Sequence, residues 1–354
     1  MGNSFIQIYL NNRIKFLYTF SVLFVIFSII IGLFAGTVTI TVPDILKIVT
    51  QHITGIHLYQ GPKSTDMIIW EIRFSRVVLA FFVGASLSLA GAAFQGLLRN
   101  PLADPYTIGV SSGASLGAVL VIYFQLNLLW LKGFTLPIFA IAGGGITLTL
   151  VFGITRLASS TLANETIILA GIILSSFTGA LVSLLMALTP REDVRQILYW
   201  LMGSVSMRGW DHVQLILPFF IIGAIILLLH AKELNGLALG DQSAQFIGIS
   251  VKKKKRLILI AASVLTGGAV AVSGAVGFVG LVIPHLVRLV SGANHKHVLP
   301  LTLLIGGGYL VLADLAARTI ISPRELPIGV VTALIGAPIF TMLLVKERMR
   351  RRRI

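Results

Sequence analysis

The chain has no cysteine among its 354 residues. Disulfides, thiolate metal centres and cysteine nucleophiles are therefore excluded. Charge is scarce and lopsided: 12% of residues are charged, with 13 Asp and Glu against 28 Lys and Arg. The acidic residues avoid the centres of the long apolar runs, where a proton-coupled carrier needs its carboxylates. Asp314 comes nearest, and its spacing of four from Arg318 predicts a local ion pair on one helical face. No Gly-x-x-x-x-Gly-Lys-Ser/Thr segment is present, so the chain lacks the phosphate loop of an ATPase, and no His-Glu-x-x-His occurs. The seven histidines form no ligand set: His295 and His297 fall in one polar loop, His52 and His57 in another. No metal site, cofactor or catalytic residue is expected.

What the chain has in excess is apolar surface. Hydrophobic residues make up 56% of it, and the mean hydropathy is +0.94. A soluble domain of this size could not hide that much, because its own exterior must be polar. Runs of 18 or more apolar residues recur along most of the length, the signature of an all-α polytopic membrane protein. We read one transmembrane unit, 1–354, with ten spans near 16–36, 77–98, 107–125, 134–155, 166–188, 213–230, 257–274, 276–289, 298–316 and 327–345. The first run exceeds the core of a cleaved signal peptide and is read as a retained span. Placing the N-terminus inside puts eighteen of the 28 Lys and Arg on the inner side, which favours an N-in, C-in arrangement. The formal charge of +15 is then a matter of topology rather than of nucleic-acid binding, and Lys252–Arg256 and Arg350–Arg353 read as anchors for an anionic leaflet.

Glycine is also abundant, with 35 residues, many inside the spans, where small side chains let helices approach closely. Gly91-Ala92 is followed by Pro101, and Gly274-Ala275 by Pro284, at the same interval. The two segments lie in spans 2 and 7, and an odd separation forces opposite orientation. An inverted repeat of spans 2–5 against 7–10 is the resulting expectation.

The stretch Trp70–Pro105, WEIRFSRVVLAFFVGASLSLAGAAFQGLLRNPLADP, brackets one span between paired arginines and a proline-stopped block. Together with Leu234–Ile249 (LNGLALGDQSAQFIGI), Gly277–Arg288 (GFVGLVIPHLVR) and Glu325–Phe340 (ELPIGVVTALIGAPIF), it resembles the FecCD family. These are permease subunits of ABC importers for iron–siderophores, haem and cobalamin. The resemblance covers about Trp70 to Val345, with two departures. Ser75 stands where the family usually has proline before the second arginine, and Ala163-Asn164-Glu165 replaces small hydroxyl residues in the loop between spans 4 and 5.

The resemblance implies a pathway enclosed by two permease subunits, identical or paralogous. ATPase subunits would bind inside and an extracytoplasmic binding lipoprotein outside. It assigns Leu239, Gly240, Asp241, Ala244, Phe246, Ile247 and Gly248, within the inner loop 232–256, to ATPase coupling. Read from the residues alone, the same loop is an amphipathic surface helix that Asp241 can cap and Gly248 can end. Arg73, Arg76 and Arg318 fall at outer helix ends, matching family positions that meet acidic residues of the binding protein. Asn164 and Glu165 become candidates for an inner gate. Ferric siderophore is the first cargo implied, with haem or cobalamin as alternatives. An ion-coupled secondary transporter is the rival from another class, and it lacks its mid-membrane carboxylate.

Overall fold

In the computed structural model, which describes residues 2–36, 38–131, 133–158 and 162–351, no strand occurs among the described residues. The first half runs through α1 (Gly2–Phe34), α2 (Val42–Thr54), α3 (Lys63–Met67), a π-helical turn (Ile68–Phe74), α4 (Ser75–Leu98), α5 (Val110–Tyr123), α6 (Thr135–Ala158) and α7 (Asn164–Leu188). The second runs through α8 (Arg191–Met202), α9 (Gly209–Leu229), α10 (Ala231–Ala238), α11 (Asp241–Phe246), α12 (Val251–Ser273), α13 (Val279–Ser291), α14 (His295–Thr319) and α15 (Ile328–Arg351). Among the described residues, seven helical runs are long and apolar enough to cross a membrane: α1, the continuous Lys63–Leu98 helix, α6, α7, α9, α12 and α14. Helices α5 and α13 and the Ile328–Leu343 part of α15 are shorter apolar helices.

The short helices explain themselves through what precedes them. A 13- or 14-residue helix reaches only about 20 Å, against a hydrocarbon core of about 30 Å. The missing depth is made up by irregular backbone, 99–109 before α5 and 274–278 before α13. Pro105 packs beside Gly280, and Gly280 lies against Leu87 and Gly91 in the middle of α4, so both irregular runs sit at membrane depth. Such backbone survives only where protein surrounds it. Ala103, Ile108 and Val276 are accordingly buried, and Asp104 Oδ1 accepts from the amides of Tyr106 and Thr107 at 2.9 Å each. The spans expected to begin at 107 and 276 thus begin as helices only at Val110 and Val279, after left-handed residues Gly109 (φ 88°) and Phe278 (φ 68°).

A long helix, an irregular run, a short helix and two long helices follow one another twice, as α4–α7 and as α12–α15. The Gly-Ala…Pro spacing is not what marks this repetition. Gly91 lies inside α4 while Gly274 caps α12, and Pro101 lies in a loop while Pro284 lies inside α13. The matching intervals are therefore coincidental.

Helix α4 is the axis of the molecule. Nearly every residue from Ser75 to Leu98 is buried, with Phe94, Leu87 and Leu89 at 1% exposure or less. Helices α9, α12, α13 and α14 enclose it. Lipid is as apolar as leucine, so this packing rests on close backbone approach and interhelical hydrogen bonds rather than on exclusion of water. A Cβ on Gly91 would overlap the Gly280 carbonyl, and one on Gly84 that of Gly306. Ser88 Oγ donates to the Thr302 carbonyl of α14 at 3.0 Å.

This geometry sets a direct comparison. Gly91→Ala should destabilise the folded protein by about 1–3 kcal/mol through overpacking, whereas Gly145→Ala on α6, which would meet nothing within 4 Å, should not. Thermal unfolding of the detergent-purified protein checks it; equal midpoints for the two variants would refute the close crossing.

Candidate functional site

At the outer end, by the charge bias, the three arginines are placed by different means. The π-helical turn accommodates an extra residue in the helix immediately before α4. Trp70 within it stacks on His52 at 4.3 Å and meets Trp210 at 4.8 Å, an aromatic cluster suited to a membrane boundary. Arg73 turns inward, donating to the Leu33 carbonyl at 3.2 Å and to that of Val38. Arg76 reaches between α14 and the loop before α15. Its Nε donates to both Asp314 oxygens at 2.9 and 3.1 Å, its Nη atoms grip both Glu325 oxygens at 2.9 and 3.1 Å, and Ser206 Oγ lies at 3.3 Å. Arg318 donates to the Gly32 carbonyl and stands 3.9 Å from Asp314.

Arg73 and Arg76 are therefore buried, Arg318 is partly buried, and all three are engaged. The local pair expected from spacing is present at 3.9 Å, but Asp314 holds Arg76, 238 residues away, more closely than it holds Arg318. The reason is geometric: the fork of Arg76 faces the carboxylate and matches both oxygens, while the Arg318 side chain carries its charge on to the α1 backbone. A cavity of about 210 Å³ remains between Ile72, the three arginines and Glu325. Glu325, with a side chain 41% exposed, is the accessible member. Burial pushes its carboxyl up, but hydrogen bonds and charge from Arg76 outweigh that and hold it below the usual range, so it stays an anion.

At the inner end, α10 and α11 form a compact pair. Gly240 (φ 114°) turns the chain between them, and Gly248 (φ 84°) ends α11. The amides of Gly248 and Ile249 bond back to Gln245 and Ala244, both at 2.9 Å, the double closure of a left-handed helix end. Asp241 does not cap α11, as expected from sequence; it is the first helical residue, and its carboxylate turns instead to Lys255 at 2.7 Å. The underside of the pair is fixed by buried Leu234, Leu237 and Ala244. Asn235 accepts from the His295 amide and donates to Asn294, both at 2.8 Å, and Glu233 pairs with Lys254 at 2.8 Å. The tip points away from the bundle, with Leu239, Phe246 and Ile247 exposed by 73%, 91% and 64%.

The gate candidates separate. Asn164, 4% exposed, donates to the Leu97 carbonyl at the end of α4 and accepts from Lys255 at 2.7 Å. Glu165 is exposed and belongs to neither contact. Lys255 itself escaped the sequence reading, which took it as one of five leaflet anchors. Its position does carry a signal: it falls on the buried stripe Val251, Lys255, Ile258, Leu259, Ala262, at helical spacing.

The FecCD transport family model matches residues 23–346. The chain belongs to the FecCD family. Its relatives include the uncharacterized ABC transporter permease protein YvrB of Bacillus subtilis, 48% identical over 98% of each chain. The cobalamin import system permease protein BtuC of Halobacterium salinarum is 41% identical, over 82% of this chain and 76% of its own. Among solved structures, an inward-facing ABC transporter of the metal-chelate type superposes with a TM-score of 0.82 at 35% identity, covering 94% of this chain and 99% of that one. This FecCD protein is a multi-pass membrane protein and an ABC importer permease.

The Arg76–Asp314 pair yields a double-mutant test. Asp314→Asn should cost about 3–5 kcal/mol by leaving a buried guanidinium undercompensated, and Arg76→Met in the same chain should restore part of that loss. Unfolding midpoints of the two single variants and the double variant measure the coupling; strictly additive effects would deny it.

Proposed function

We propose that this permease moves a metal chelate, with ferric siderophore first and haem or cobalamin as alternatives. A binding protein would deliver the cargo outside, and ATPase subunits would power its movement from inside. The observation that carries the reading is the tip Leu239–Phe246–Ile247: three apolar side chains held out from a base fixed to α12 and α14. Exposed apolar residues on a rigid support suit a pocket in a partner protein. Displacement of that tip is passed to the bundle through its hydrogen-bonded base. The chain supplies no phosphate loop, so hydrolysis falls to the partner. A second permease, this chain again or a paralogue, completes the pathway. A chelate brings its own metal ligands and asks none of the permease.

Replacing Phe246 by Asp should cut uptake about tenfold or more while the protein still inserts in the membrane at normal levels. The measurement is uptake of radiolabelled ferric siderophore, hemin and cobalamin by cells carrying the transporter genes, with ATPase copurification in parallel. Undiminished uptake and copurification would remove the tip from coupling. Uptake of one chelate alone would identify the cargo.

Docking of the binding protein is read onto the outer arginine cluster, with a modification. Arg76 is already held by Asp314 and Glu325, so a carboxylate that docks on Arg76 takes the place of Glu325, the more exposed of the two. Glu325→Gln should therefore tighten binding-protein association and steepen its loss with salt. Unchanged affinity and salt dependence, measured by surface binding to the permease in nanodiscs, would place docking elsewhere.

A further inference from the structure

We propose that Lys255 is a positioning residue for transport, tying the coupling helix α11 to the inner end of α7 so that the two move together. The proposal rests on reading α11 as the ATPase coupling element. Lys255 lies in the first turns of α12 and is 1% exposed. Its ammonium has three N–H donors and meets three acceptors: Asp241 Oδ2 at 2.7 Å, Asn164 Oδ1 at 2.7 Å and the Leu162 carbonyl at 3.1 Å. The three come from α11, from α7 and from the segment leading into α7. Every donor is used.

The arrangement constrains motion. Water can replace an acceptor at the neighbouring Lys254, whose side chain is 29% exposed in its pair with Glu233. Water cannot reach Lys255, so withdrawing any acceptor leaves a buried charge short of a partner. A push on α11 therefore carries Asp241, Lys255 and Asn164 as one unit. Asn164 extends the link, since its Nδ2 donates to the Leu97 carbonyl at the inner end of α4. The path from the exposed tip to the start of a membrane-crossing helix is thus short, polar and continuous. Lys255 takes its only carboxylate among the described residues from the coupling helix α11.

The test uses the absence of cysteine. Glu165→Cys creates one exposed reporter beside Asn164. The full transporter, permease with its ATPase subunits in proteoliposomes, is labelled with a maleimide with and without ATP and vanadate. With Lys255 present, nucleotide should change the labelling rate about fivefold or more. In Lys255→Met the ratio should fall to about one, with ATPase copurification and hydrolysis retained, and Lys255→Arg should keep most of it. Should Lys255→Met fail to assemble, Asp241→Ala severs only the α11 arm and is expected to abolish the ratio equally. A ratio retained in either variant, or no nucleotide response with Lys255 in place, overturns the proposal. Failure of the coupling reading looks different: Phe246→Asp would leave uptake and ATPase binding intact.

Discussion

A helix enclosed by other helices inside an apolar solvent gains little from hiding its side chains. What it gains comes from contact, and contact depends on how near the backbones can come. Helix α4 meets that constraint with glycine at its two tightest crossings, Gly84 against Gly306 and Gly91 against Gly280. Everything else is arranged around those crossings. The irregular runs 99–109 and 274–278 can exist at membrane depth because α4 and its neighbours wall them off from lipid. The short helices α5 and α13 can be short because those runs supply the remaining depth.

Strong polar interactions then collect at the two ends of the bundle. At the outer end, Arg76 binds two carboxylates from α14 and the loop before α15. At the inner end, Lys255 gathers acceptors from α11 and the start of α7. Both are charges whose every contact is long in sequence and short in space. The centre is held by small residues in close backbone contact. The ends are held by directional bonds with discrete partners.

Much of this was legible beforehand, and the limits have a physical cause. Helix α4 was expected over 77–98 and runs Ser75–Leu98; α7 was expected over 166–188 and runs Asn164–Leu188. Long apolar stretches with proline or polar stops declare themselves. The family motifs carried the rest of the identification, since composition alone distinguishes no carrier from another. What stayed hidden was which faces meet. Local spacing pairs Asp314 with Arg318, four residues on, and nothing local reveals Arg76 as its chief partner. Lys255 sits in a run of five basic residues, and only its phase on the helix separates it from four neighbours that look the same in sequence. Asp241 likewise offered a cap by its chemistry and took a longer-range partner.

The π-helical turn at Ile68–Phe74 has one more consequence. It lets a single extra residue into an otherwise continuous helix, and one residue of α-helix is a rotation of about 100°. Trp70 therefore faces His52 and Trp210 while Arg73 and Arg76, on the same rod, face α1 and α14. The turn works as an index mark between two faces of one helix. Deleting one residue between Trp70 and Arg73 would remove the extra residue and rotate the aromatic end against the arginine end. The outer cap of this protein therefore depends on the length of those seven residues as well as on Trp70 and Arg73 within them.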